Sequence, residues 1–113
     1  MGYNLGIDLG GTKILAGVLD NQGNVLSKVK RKTRADGSIE KVIDRIVDVT
    51  NEALVHSDVS IAKIECIGVG APGPLDPLGG IVHEAPNLGW RDVDLARILK
   101  EKFGRPIYLS NDV

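Results

Sequence analysis

The run Gly6-Ile7-Asp8-Leu9-Gly10-Gly11-Thr12-Lys13 constrains this chain more than any other segment. An apolar strand over residues 3–9 ends in an acid and two successive glycines, and a second strand-like stretch, 13–20, starts at once. Glycines between two strands make a hairpin. The dinucleotide fingerprint, whose glycines open a helix, is therefore excluded. The phosphate loop of nucleoside triphosphatases is excluded as well, because the order here is Thr12-Lys13 where that loop needs Lys-Ser/Thr. What remains is a turn in which two residues without side chains can take φ > 0 and bring backbone N–H groups close to an anion. Thr12 adds a hydroxyl, and Asp8 offers hard oxygens suited to Mg²⁺, directly or through water. Taken alone, the motif is equally readable as a hairpin turn that touches no ligand.

The rest of the chain extends this start. Residues 24–32 read as a third strand after the turn Asp20-Asn21-Gln22-Gly23-Asn24, completing an antiparallel meander. From Ser38 the apolar period changes to that of a helix, with Ile39, Val42, Ile43, Ile46, Val47, Thr50, Ala53 and Leu54 on one face, Asp36 or Ser38 as the cap and an end near His56. Residues 64–70 form a short apolar run that suits a buried central strand. A segment rich in proline and glycine, Pro72 to Trp90, predicts a long loop of the kind that is functional or disordered, in which Gly80-Ile81-Val82-His83 could pair briefly as a strand. Asp94 then caps a helix that carries Leu95, Ile98, Leu99 and Phe103 inward and stops at Gly104 and Pro106. A last strand, Ile107-Tyr108-Leu109-Ser110, delivers Asn111-Asp112 at its carboxyl end.

The order β-β-β-α-β-α-β is that of an α/β, ribonuclease-H-like lobe, a mixed sheet whose meander is extended by parallel strands through helical crossovers. Ligands of such sheets bind beyond the carboxyl ends of the strands. There the fold gathers Asp8 and Gly10, Gly73, and Asn111 with Asp112.

Composition narrows the functions. At 113 residues the chain is one compact domain. A net charge of −1 with interspersed signs gives no footprint for nucleic acid or an anionic membrane, and the basic stretch Lys28 to Arg34 reads as the solvent face of a strand. No apolar run reaches the length of a membrane span, and a cytoplasmic location is expected. Cys66, the sole cysteine, reads as a buried inert thiol. With two distant histidines, His56 and His83, it does not make a closed zinc site. Trp90 reads as a packing residue under the loop, and Asp76 and Glu84 carry no assigned role.

Taken together, Gly6 to Lys13, Gly68-Val69-Gly70-Ala71-Pro72-Gly73-Pro74, Glu84-Ala85-Pro86-Asn87-Leu88-Gly89-Trp90 and Asn111-Asp112 resemble the ROK family of sugar kinases, in particular its bacterial glucokinases. The resemblance covers the whole chain. It implies the actin-like ATPase superfamily, whose members close two ribonuclease-H-like lobes over a cleft, with residues 1–113 as the first lobe and a C-terminal lobe outside this chain. It implies ATP and Mg²⁺ as cofactors, a hexose such as glucose as substrate, a homodimeric full-length protein, and any structural zinc confined to the other lobe. Asp8 would hold Mg²⁺ through water. Gly10, Gly11 and Thr12 would contact the β and γ phosphates, flanked by Lys13. Gly73, Asn87, Asn111 and Asp112 would bind the sugar, the asparagine amides donating to one hydroxyl and accepting from another. Asp112 would be the general base for the 6-hydroxyl.

Two other functions compete. A ribonuclease-H-like nuclease needs several carboxylates for two metals. Asp8 and Asp112 supply two, but the fourth strand ends in Gly70-Ala71-Pro72-Gly73 without an acid. A non-catalytic sugar-sensing regulator of the same family usually carries a DNA-binding helix-turn-helix before the first strand. Here Met1 stands a few residues ahead of the motif, and Asp8, Gly10, Gly11, Thr12 and Asp112 together favour the kinase.

Overall fold

The computed structural model describes residues 2–34 and 38–111. Strands β1 (Tyr3–Leu9), β2 (Lys13–Asp20) and β3 (Val25–Lys32) form the antiparallel meander, followed by helix α1 (Ile39–Ser57) and strand β4 (Ile64–Ala71). Three short strands come next, β5 (Leu75–Asp76), β6 (Ile81–Ala85) and β7 (Trp90–Val93), then helix α2 (Leu95–Phe103) and strand β8 (Ile107–Asn111). The main sheet has the order β3-β2-β1-β4-β8, with β1, β4 and β8 parallel. The ribonuclease-H-like reading holds for this sheet.

The segment from Pro72 to Trp90 departs from the expected loop. It contains β5 and β6 and opens β7, and these pair as a second, antiparallel sheet in the order β5-β6-β7. The predicted pairing of residues 80–83 lies in β6, which runs on to Ala85. Arg91 and Asp92 belong to β7 and do not lead straight into a helix. The small sheet is fastened to the rest, because Ala96 at the start of α2 donates its N–H to the Gly80 oxygen at 3.0 Å.

Alternation along the strands explains the layers. Leu5, Ile7 and Leu9 of β1, Ile14, Ala16 and Val18 of β2, and Ile67 and Val69 of β4 are buried on one face. Against them packs α1, whose buried stripe is Val42, Ile43, Ile46, Val49, Thr50, Ala53 and Leu54. Ile39 stays exposed and Val47 is only half-buried, while Val49 joins the stripe. Ser38 caps this helix by accepting from the Lys41 N–H at 3.3 Å, and Asp36 lies outside the described residues. Asp94 stands at the start of α2 without capping it. Its carboxylate instead accepts from Arg97 Nε at 3.0 Å, so a charged guanidinium has outcompeted the backbone amides.

The opposite face of the main sheet carries small residues. Gly17, Gly6 and Gly68 stand side by side in register across β2, β1 and β4, with Lys28 and Tyr108 at the ends of the row. They floor a groove of about 500 Å³. Cys66 corrects the expectation of a buried thiol: it is half-buried, and its Sγ donates to Asn4 Oδ1 at 3.2 Å. Trp90 is a packing residue as expected, 2 % exposed.

Candidate functional site

The carboxyl ends of β1, β4 and β8 lie at one edge of the sheet because the three strands are parallel neighbours. Asp8 pairs with Gly70 and Gly70 with Ser110, so the acid stands in the same row as the penultimate residues of the two neighbouring strands. Adjacent strands are about 5 Å apart, which places the row within about 10 Å. Asp8 is exposed, lines the groove on the open face and precedes the glycine turn by one residue. Among the described residues no cluster of three or more histidine, cysteine or acidic side chains is present.

Gly10 to Lys13 closes the β1–β2 hairpin, one step beyond the last strand pair, Leu9 with Ile14. The Gly10 N–H donates to the Lys13 oxygen at 2.9 Å. A side chain at Gly10 would start 3.0 Å from that same oxygen, so the tight approach accounts for glycine there. The left-handed glycines of the described residues are Gly23, Gly73, Gly80, Gly89 and Gly104; Gly10 and Gly11 are not among them. The φ > 0 available to the pair is thus not used. The turn takes its shape from a neighbour instead. Thr33, just past β3, gives its N–H to the Thr12 oxygen and its hydroxyl to the Gly10 oxygen, both at 2.8 Å. Thr33 is 1 % exposed, whereas Thr12 and Lys13 are exposed.

Thr33 is the residue that sequence reasoning passed over. It sits in a stretch read as the solvent face of a strand, and Lys28, Lys30, Arg31 and Lys32 do face solvent while Val29 and Thr33 are buried. The available signal was a lone small polar residue within the basic stretch Lys28 to Arg34, which carries no chemistry until the register of β2 and β3 is known.

Gly73 follows β4 with φ 76°, and a Cβ there would fall 1.8 Å from the Glu84 oxygen. Gly73 thus stands opposite Glu84 where the β5–β6 pairing runs back toward β4, and the next pair inward is closed by the His83 N–H donating to the Pro74 oxygen at 2.9 Å. Two residues beyond His83, at Ala85, the chain enters the 3-10 turn Pro86–Leu88, which contains Asn87; the Asn87 side chain is outside what is described. Asn111 pairs with Ala71 and is exposed at the end of β8. Asp112 lies outside the described residues. The structure thus brings Asp8, the Gly10–Lys13 turn, Gly73 and Asn111 to one edge of one sheet. Asp76 turns inward on its own loop, accepting from the Leu78 N–H at 3.1 Å. His83 Nδ1 lies 3.1 Å from Asp92 Oδ1 on the exposed side of the small sheet.

An edge of this kind offers backbone amides, one carboxylate and, among the described residues, the amide side chain of Asn111 facing solvent, a set suited to a polyhydroxylated and phosphorylated pair of ligands. The chain is similar to known proteins in sequence and in fold. The chain is 36% identical over 112 residues to a glucokinase of Streptomyces coelicolor, covering 99% of this chain and 33% of that protein. It is 30% identical to a putative xylose repressor of a Caldicellulosiruptor species, over 99% of this chain and 28% of the relative. Its fold superposes with TM-score 0.85 on a ROK family glucokinase from Streptomyces griseus crystallised with glucose and AMPPNP, at 34% identity over 98% of this chain and 33% of that one. The chain spans about a third of the length of these relatives. A model of the ROK family matches residues 4–113, and the chain belongs to that family.

Proposed function

We propose that residues 1–113 are the N-terminal, ribonuclease-H-like lobe of a cytoplasmic, ATP-dependent hexose kinase, with the 6-hydroxyl of glucose as the acceptor. The observation that carries this reading is the gathering of Asp8, the Gly10–Lys13 turn, Gly73 and Asn111 at the carboxyl edge of β1, β4 and β8. The glucokinase relatives support the same reading, and so does the glucose and AMPPNP in one of them.

In this assignment the turn Gly10–Thr12 offers amides and a hydroxyl to the β and γ phosphates, and Lys13 flanks it with positive charge. Asp8 fits Mg²⁺ as a hard, exposed oxygen donor. As a single carboxylate it holds the ion together with water and the nucleotide's own phosphates. When bound, Mg²⁺ and ATP supply the charge-neutralised γ-phosphoryl group. Gly73 approaches the sugar through its backbone. Asn87 and Asn111 donate to one hydroxyl and accept from another, and Asp112 takes the 6-hydroxyl proton as the oxygen attacks. The remaining sugar contacts and the adenine contacts belong to a second lobe, and the complete protein is a homodimer acting on a sugar and a nucleotide, without nucleic acid or membrane.

A regulator reading has one observation in its favour, the 30% identity to a putative xylose repressor. The test is to express the protein encoded by the complete reading frame and measure glucose-dependent ADP release for it and for Asp112→Asn. Loss of the general base is expected to lower turnover by about 100- to 10,000-fold while glucose affinity, measured by calorimetry, stays within a few-fold. Near-normal turnover in Asp112→Asn removes Asp112 from the mechanism. Glucose binding without ADP release in the unmodified protein makes the chain a sensor.

A further inference from the structure

We infer that Thr33 is a positioning residue for nucleotide binding, setting the direction of the amides in the Gly10–Lys13 turn; this rests on the assignment of that turn to the phosphates of ATP. Thr33 spends both of its donors on the turn. Its hydroxyl holds the Gly10 oxygen and its N–H holds the Thr12 oxygen, each at 2.8 Å. The Gly10 N–H is engaged with the Lys13 oxygen. Three carbonyl oxygens of a four-residue turn are thereby tied into protein hydrogen bonds.

That arrangement has a consequence for an anion. Carbonyl oxygens repel phosphate, and an exposed turn leaves them free to rotate toward it. No described peptide bond is cis. In a trans peptide the C=O and the following N–H point in opposite directions. Fixing the Gly10 oxygen on Thr33 turns the Gly11 N–H away from Thr33, and fixing the Thr12 oxygen turns the Lys13 N–H the same way. Both carbonyl dipoles then lie with their negative ends toward a buried hydroxyl and amide, and their positive ends toward the opposite side of the turn. Thr33 itself is 1 % exposed, so its effect on nucleotide is exerted through the turn.

This also explains why Gly11, the first central residue of the turn, does not use the left-handed conformation. A free two-residue hairpin between twisted strands favours φ > 0 at its central residues. Here the two hydrogen bonds from Thr33 select another geometry. The Gly10 carbonyl that a tight turn would direct at the Lys13 N–H is taken by the Thr33 hydroxyl.

The test compares Thr33→Val, Thr33→Ser and Gly11→Val in the protein encoded by the complete reading frame, measuring Mg-AMPPNP and glucose affinities by calorimetry on the same samples. Valine keeps the shape of threonine and deletes the hydroxyl, leaving the Gly10 oxygen unpaired. The expected result is about a tenfold loss of AMPPNP affinity with glucose affinity within about twofold, and Thr33→Ser restoring AMPPNP to near the parent value. A merely structural role would weaken both ligands together or neither, and that outcome overturns the proposal. Should Thr33→Val not fold, Thr33→Ala against Thr33→Ser carries the same comparison, with only serine expected to retain AMPPNP binding. Gly11→Val separates this proposal from the assignment beneath it. If Gly11→Val lowers AMPPNP affinity and Thr33→Val does not, Thr33 alone is wrong. If neither variant lowers it, or the unmodified protein binds no AMPPNP, the phosphate assignment falls and takes Thr33 with it.

Discussion

Gly73 shows how a residue can be legible in the sequence for one reason and required by the structure for another. The resemblance carried by Gly68 to Pro74 implies a sugar-side backbone contact there, which is the role proposed for it above. The structure gives it φ 76° and leaves only 1.8 Å between a Cβ and the Glu84 oxygen. Gly73→Ala therefore pairs a left-handed alanine, about 1–2 kcal/mol, with an overpacked contact against backbone, about 1–3 kcal/mol more. The melting temperature of residues 1–113 is expected to fall by about 10 °C or more, and scanning calorimetry checks it. An unchanged melt would mean that the backbone at Gly73 and Glu84 does not meet so closely at the base of the β5–β6 hairpin. Asp94 and Thr33 are the opposite cases. A capping aspartate and a threonine of no particular role are what their local sequence suggests, and each is redirected, Asp94 by a charge three residues on and Thr33 by a turn that sequence order does not place beside it. Arg97 draws the Asp94 carboxylate away, and the turn beyond β1 recruits Thr33 across 20 residues and more.

At the scale of elements, the long periodic signals were readable and the short ones were not. Helix α1 shows seven buried side chains at helical spacing over 19 residues, more than enough to define a face. The β5-β6-β7 sheet has strands of 2, 5 and 4 residues amid prolines and glycines, too short for alternation to register. Its stability comes from tertiary contacts such as Ala96 to Gly80 that no local pattern carries. The β2–β3 turn makes a testable case of local chemistry. Asp20 accepts from the Asn24 side chain at 3.0 Å and from the Gln22 and Asn24 N–H groups at 2.9 Å. The Asn24 side chain above all, then the backbone donors, hold the Asp20 carboxyl below its ordinary value. A carboxylate whose folded value is depressed contributes stability that is complete above its unfolded value, about pH 4, and is lost as the pH falls through the folded one. Asp20→Ala should therefore be less stable than the parent at pH 7, the gap closing as the pH drops below about 4. Urea melts across that range measure the gap. A difference constant with pH would show that the carboxylate charge plays no part in holding the turn.

For the molecule as a whole, the buried apolar residues form one continuous cluster from Leu5 to Leu109, spanning both sheets and both helices. That is the core of a unit able to fold as one. The assigned site residues, by contrast, stand at its rim: Asp8, Thr12, Lys13 and Asn111 are all exposed. Phosphoryl transfer needs the acceptor oxygen aligned with the γ-phosphorus and bulk water kept out, and a single wall of exposed groups supplies neither. The chain spans about a third of its relatives, and the proposed second lobe is what would close over this edge. Residues 1–113 expressed alone should consequently melt cooperatively yet release ADP from ATP and glucose more than about 100-fold slower than the protein of the complete reading frame. A coupled assay run beside a thermal melt decides between the explanations. Turnover comparable to the complete protein would mean that the edge of this one sheet is already a sufficient site. A broad, uncooperative melt would mean that the second lobe is needed for the fold itself, and loss of activity would then say nothing about the cleft.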